Sequence, residues 1–226
     1  MPSFSTVLER LETLLGRKSS IYVLLGLVAA VYTASYWQHP LLPQSDPSVA
    51  REGWWTWHDQ FAYWQSAAEL ARGSLTAEHY HYPLGYPLMG AAATGWMPAH
   101  PFFPSNLLLV MAAAIAWWHL LRQGGLSRVQ ALVAGGLFCW LHASLLALTL
   151  VIPWNTIATQ TSLLAGIVVM LTMRGGRRVI WLSGLAAVTY LIRPGDAVCF
   201  APMLVWAVLS LQGWRERVIR GLAGVG

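Results

Sequence analysis

Six apolar runs punctuate this chain, and none has an Asp, Glu, Lys or Arg in its middle. The first is Ile21 to Trp37. The others follow one another closely: Asn106 to Leu121, Val129 to Ile152, Thr156 to Met173, Val179 to Ile192 and Ala197 to Leu211. Their linkers are short (RQGGLSR, PWN, RGGRR, RPGD). A helix rises about 1.5 Å per residue, so the first run reaches about 25 Å, close to the thickness of a bilayer core. Charged residues are 10% of the 226 and hydrophobic residues 56%, against about 25% charged in soluble domains. The pattern predicts an all-α integral membrane protein with about six transmembrane helices. It forms a single membrane domain over residues 1–226: an amphipathic cytoplasmic segment at 1–20, a first span at 21–37, a long outer loop at 38–104 and five further spans within 105–226.

The amphipathic segment places Phe4, Val7, Leu8, Leu11, Leu14 and Leu15 on one helical face, with Glu9, Arg10 and Glu12 elsewhere. That suits a helix lying on a membrane surface. No cleavable leader is expected, because the first apolar run starts behind charge and lacks an A-x-A site. Cys139 and Cys199 each sit in an apolar run. Two such cysteines make no disulfide framework and read as small buried hydrophobes.

The loop is the longest polar interval, with Asp46, Glu52, Asp59, Glu69 and Glu78 among the nine carboxylates. Trp54, Trp55 and Trp57 surround the pair His58-Asp59. With 13 tryptophans in the chain, a place at the membrane–water interface is expected for many. Asp59 to Arg72 has helical spacing. Trp57, Phe61, Trp64, Ala68 and Ala71 form an apolar stripe that can rest on the bilayer, and Asp59, Tyr63 and Ser66 form a polar face. Tyr86 to Trp96 is apolar but too short to span. It predicts a second helix along the membrane surface, ended by Pro98, Pro101 and Pro104.

Charge placement sets the orientation. With the N-terminus cytoplasmic, only Arg51, Arg72 and Arg193 of the 14 Lys and Arg fall on the outer side. Six of the nine carboxylates do (Asp46, Glu52, Asp59, Glu69, Glu78, Asp196). The loop and the RPGD turn then share the outer face. The net charge of +5 reflects this bias and does not require nucleic acid.

On that face, Asp59 can serve as a general base beside apolar rings, or simply favour the start of a helix by its charge. Arg193 ends a span where Arg is scarce. It suits a phosphate, or it snorkels from a helix end and is neutralised by Asp196. His79 and His81 alternate in EHYHY and read as hydrogen-bonded interface residues more readily than as metal ligands. Asn155 is placed to cap the helix after PWN, and it can also face the same pocket. His39, His100, His119 and His142 are scattered.

The order of these motifs resembles the GT-C class of polytopic glycosyltransferases, which includes the protein O-mannosyltransferases and the aminoarabinose-to-lipid-A transferase. The matching residues are Asp59, Tyr63, Ala67, Leu70 and Gly73, then Tyr82, Pro83, Gly85, Tyr86 and Pro87, with Arg193 at the outer end of the fifth span. The resemblance implies a polyprenyl-phosphate sugar donor and an acceptor glycan, lipid or protein. It implies a loop acid that is catalytic base or metal ligand, with a divalent cation such as Mg or Mn in the second case, and a basic residue on the lipid phosphate. Asp59 is the candidate catalytic residue. Arg193, Tyr63, Tyr82, Tyr86, His58, His81 and Asn155 are the candidate substrate-binding residues, and no residue is assigned to a metal. Members of the class often carry Asp-Glu or Asp-Asp where this chain has Asp59-Gln60, and they have more spans. The expectation is an inverting transferase, or the N-terminal part of one, in the bacterial inner membrane. A site on the outer face needs a donor that crosses within the membrane, and no Gly-rich phosphate loop for a nucleotide occurs. The alternatives are a non-catalytic assembly partner and a lipid or sugar transporter subunit. A transporter would place ionisable groups at mid-membrane.

Overall fold

A computed structural model describes residues 10, 12, 13, 17–141 and 151–211. Most of the expected surface helix at 4–16, the middle of the Val129–Ile152 run with His142, and the charged tail from Arg215 to Arg220 lie outside them. The described residues are helical, with no strand. The helices are α1 (Arg17–Trp37), α2 (His58–Ala71), α3 (Gly85–Thr94), α4 (Phe103–Gln123), α5 (Arg128–Leu141), α6 (Thr156–Thr172), α7 (Gly175–Ile192), α8 (Pro194–Ala197) and α9 (Phe200–Leu209). Single 3-10 turns occupy Gly53–Thr56 and Ala77–His79.

Proline sets one boundary: Pro104 lies in the first turn of α4, where its missing N–H has no helical partner to lose. Positive-φ glycines mark three others. Gly73 follows α2, Gly125 follows α4 and Gly175 opens α7.

The long helices alternate in direction. The end of α1 meets the start of α4, with Tyr36 and Phe103 ring centroids 4.7 Å apart. Thr161 on α6 donates to the Leu109 carbonyl on α4 at 3.2 Å. At the start of α6, Asn155 Nδ2 donates to the Ile192 carbonyl at the end of α7 (3.3 Å). Arg178, early in α7, donates to Ser210 Oγ after α9 (3.3 Å). Two ends result. One carries the loop, Asn155 and Arg193. The other carries Arg122, Arg128, Arg174 and Arg178, and there the Glu12 carboxylate accepts the Val129 N–H (2.8 Å).

Two helices, Ser20–Trp37 and Phe103–Gln123, are long and apolar enough to cross a membrane, by length and composition. Only 28% and 17% of their spanning windows are buried inside the protein, unlike the core helix of a soluble fold. Thr156–Thr172 and Pro194–Leu209 are apolar but shorter. Of the six expected spans, two thus pass on length and composition among the described residues. A break at Arg193–Ala197 precedes the short α9.

The larger core runs down between the helices, and its aromatic part lies at the loop end. Tyr36, Trp54, Trp55, Tyr63, Trp64, Tyr86 and Phe102 are buried together there. Trp55 Nε1 donates to the Ala99 carbonyl (3.1 Å) and Trp64 Nε1 to the Pro98 carbonyl (2.8 Å). These tryptophans are core residues, against the expectation of an interface belt. The stripe on α2 is likewise covered in its middle, while Trp57 and Ala71 at its two ends are exposed. Trp64 is buried, Phe61 stacks on it at 5.7 Å, and the Arg51 guanidinium lies 3.4 Å over the Phe61 ring. The loop therefore folds as a cap whose aromatic core is continuous with the core between α1, α4 and α6. A smaller cluster (Val169, Leu182, Phe200, Ala207) joins α6, α7 and α9.

Candidate functional site

Asp59 lies in the first turn of α2, where a carboxylate complements the helix dipole. Its side chain is half-buried. It does more than complement a dipole, because Tyr82 Oη donates to its Oδ1 at 2.5 Å, the length of a charge-assisted hydrogen bond. That bond is the main cause raising the Tyr82 phenol above its ordinary pKa.

Tyr82 reaches Asp59 because its turn is docked elsewhere. A Cβ added to Gly85 would lie 2.7 Å from the Leu191 carbonyl oxygen and 2.8 Å from Ile192 Cγ1. Only glycine lets the Pro83-Leu84-Gly85 turn press against the end of α7. The Tyr82 ring packs on Tyr63 at 4.9 Å, and Tyr63 meets Tyr86 edge-on at 5.2 Å. Tyr86 is fully buried and donates to Asn106 Oδ1 (3.1 Å). Tyr63 and Tyr86 therefore back the surface that Asp59 and Tyr82 present. Burial is the first cause raising the Tyr63 phenol. The charges of Tyr82 and Asp59 add to it and Arg193 opposes it.

Arg193 caps the C-terminus of α7 in extended backbone. Its Nη1 donates to Thr156 Oγ1 (3.4 Å) and its Nε lies 3.7 Å from Asp196 Oδ2. The guanidinium stays 47% exposed, so this pair adds little stability and the cation can still meet a ligand. Asn155 occupies the N-cap of α6 but makes no side-chain cap bond. Its amide ties α6 to α7 instead. Gln60, the residue after Asp59, is buried and donates to the Pro153 carbonyl (3.4 Å), which anchors α2 to the same turn.

His58 and His81 stand beside this group, exposed, with ring centroids 5.9 Å apart. His79 faces inward instead, 3.5 Å from Glu69 Oε2, while its carbonyl accepts Ser66 Oγ (2.7 Å). Among the described residues no group of three or more His, Cys, Asp or Glu is placed to hold a metal ion.

All eight candidate residues therefore gather at the loop end. Thr156 and Gln60 join them, and Thr156 was readable only as the neighbour of Asn155. His39 and His100 are not idle either. His39 Nδ1 accepts the Leu41 N–H (3.0 Å), and His100 Nδ1 pairs with Tyr36 Oη (3.1 Å). Cys199 is exposed, contrary to its reading as a buried hydrophobe, because the α8–α9 break turns it outward. An apolar cavity of about 390 Å³ lies between α1, α4, α5 and α6, lined by Val28, Val110, Trp118 and Ile157, with Gln160 at its wall. Comparison with known proteins finds no matching family model, no similar curated protein and no similar solved structure.

Proposed function

We propose that this chain is the membrane part of an inverting glycosyltransferase that takes a sugar from a polyprenyl-phosphate donor at the outer face of a bacterial inner membrane. One observation carries the reading: Tyr82 bonds to the half-buried Asp59 carboxylate, and its turn docks through Gly85 onto Leu191 and Ile192, next to the half-exposed Arg193 side chain, so that base and cation stand at one end of the molecule. A base and a phosphate-binding cation on one surface are what such a transfer needs. The acceptor hydroxyl, on a glycan, lipid or protein, gives its proton to Asp59 and attacks the anomeric carbon. The bond to the lipid phosphate breaks, and Arg193 stabilises the departing phosphate by a planar two-pronged contact. The exposed His58 and His81 line the approach, while Asn155 is buried and holds α6 to α7. No step is routed through a cation.

In the proposed layout the loop end is outside, the arginine-rich end is cytoplasmic, and the α5, α6, α7 and α9 helices complete six crossings. The apolar cavity below Thr156 suits the donor's hydrocarbon chain. No observation favours a transporter or a passive assembly partner over this reading.

The test is turnover of radiolabelled polyprenyl-phosphate sugar by the purified chain. Asp59→Asn keeps size and should lower the rate by about 10²–10⁴-fold. Arg193→Lys should lower it substantially and Arg193→Ala further, with normal expression. Parental rates in folded Asp59→Asn protein would sink the proposal. The layout has its own test, in a background with Cys139→Ala and Cys199→Ala. Ser74→Cys should react with an impermeant thiol reagent from outside, and Gly176→Cys should not. Gly176 is the better inner probe, because Gly175 has φ +61 and a side chain there would be strained.

A further inference from the structure

Tyr82 matches the family pattern as a candidate substrate contact, but its hydroxyl is committed elsewhere. It is the donor to Asp59 Oδ1 at 2.5 Å. A phenol has one proton to donate, so this hydroxyl cannot also donate to a substrate while the bond stands. We infer that Tyr82 is a positioning residue that acts on the reaction only through the Asp59 carboxylate. The inference rests on the reading of Asp59 as the base.

The geometry gives Tyr82 this task. A carboxylate in the first turn of a helix is free to rotate unless something holds it. Tyr82 holds Oδ1 and leaves Oδ2 to accept a proton. Tyr82 is itself held on two sides. Its ring lies against the buried Tyr63, and its turn is docked through Gly85 onto Leu191 and Ile192. Arg193 is the next residue. One turn therefore sets both the direction of the base and its place relative to the guanidinium. An aligned base is worth far more than a near one, since small misplacements of a reacting group cost large factors in rate. The phenol is also held protonated by the carboxylate it serves, so it remains a donor across the working pH range.

A double-mutant cycle separates this from direct substrate contact. The assay is turnover of radiolabelled polyprenyl-phosphate mannose by the full chain, with Tyr82→Phe, Asp59→Asn and both together. Tyr82→Phe should lower kcat by about 10–100-fold, the value of one charge-assisted bond, and leave KM unchanged. In the Asp59→Asn background the same change should alter kcat by less than about 2-fold. Independent effects that multiply, or a raised KM at unchanged kcat, would place the hydroxyl on the substrate and overturn the inference while leaving Asp59 as base. A parental rate in Asp59→Asn would overturn both. Should Tyr82→Phe fold poorly, Tyr82→His supplies another ring donor and should recover part of kcat. Without any substrate, the ultraviolet titration of Tyr82, taken as the difference from Tyr82→Phe, should move to lower pH in Asp59→Asn. An unmoved titration would mean that the bond is absent, and the inference would fall.

Discussion

Trp54 and Trp206 are the same residue in opposite surroundings. Trp54 is wholly buried, edge-on to Tyr36 at 5.2 Å and to His39 at 5.4 Å. Trp206 on α9 is 63% exposed, and so are its neighbour Val205 at 58% and Trp181 on α7 at 56%. The loop hides these rings as a water-soluble core does: the Trp55 and Trp64 N–H groups meet carbonyls, while the buried Trp54 N–H finds no acceptor among the described residues. The α7–α9 hairpin turns its rings outward around the small core of Leu182 and Phe200. Each square ångström of apolar surface left in water forgoes about 25 cal/mol, and a contiguous face of this kind is rare on soluble monomers. In hydrocarbon the penalty vanishes. The difference teaches that two solvents shape one chain: the cap answers to water, and in the proposed layout the hairpin answers to lipid.

The largest effect should come from exchanging tryptophans in the two regions. Trp55→Ala removes a fully buried ring and its bond to Ala99, and should destabilise by about 3–5 kcal/mol. Trp206→Ala in detergent micelles should change stability by less than about 0.5 kcal/mol. Thermal melting of both variants in one detergent checks the pair. Equal losses would break the comparison, because the α9 face would then be covered by protein.

A smaller pair of opposite sign sharpens it. Gly85→Ala forces a Cβ against the Leu191 carbonyl at 2.7 Å and should cost about 1–3 kcal/mol by overpacking. Gly184→Ala, in the middle of α7, meets nothing within 4 Å. It should stabilise by about 0.5–1 kcal/mol through helix propensity. Melting temperatures that fall for Gly85→Ala and rise for Gly184→Ala are the expected outcome. A harmless Gly85→Ala would mean that the Tyr82 turn is not seated on α7.

Much of the helical plan was legible in the sequence. Helical spacing over Asp59 to Arg72 matches α2 at His58–Ala71, and the short apolar stretch from Tyr86 matches α3 at Gly85–Thr94. Period and breakers are local properties, and a sequence displays them. Pairings across the chain are not local. Nothing in Gln60 announces Pro153, and nothing in Asn155 distinguishes a helix cap from a tie to Ile192. Tryptophan was misread for a physical reason: an apolar ring with one donor suits an interface and a core equally. The neighbours decide, as Ala99 and Pro98 do for Trp55 and Trp64. Among the site residues, Asp59, Tyr82 and Arg193 stood out as charges or motif members. Thr156 did not, since a threonine that starts a helix needs no further explanation.

The smallest expected effect is a pH dependence confined to the cap. His100 lies half-buried between α1 and α4, bonded to Tyr36 and 5.0 Å from the Trp37 ring. Burial lowers its pKa, and the charge of Glu52 only partly opposes this. The sign follows from proton counting. In the unfolded chain the imidazole takes up a proton as pH falls through about 6.5. In the folded chain it resists until lower pH, so between those points the unfolded state binds more protons and stability declines as pH falls. Glu52 and Glu69 act the same way, since hydrogen bonds hold both below the usual glutamate value, but their loss begins only near and below about pH 4.3. His100 alone among these three works in the window between pH 6.5 and 5. Melting of the wild type should therefore drop modestly across that window. His100→Phe keeps a ring against Trp37, cannot take a proton and should flatten the curve there, leaving the acid loss below it in place. Trp37 fluorescence should report the change more strongly than Trp206, since only the first lies beside the imidazole. A wild-type melting temperature that is level from pH 6.5 to 5, or one that falls equally in His100→Phe, would show that the buried histidine carries no such penalty.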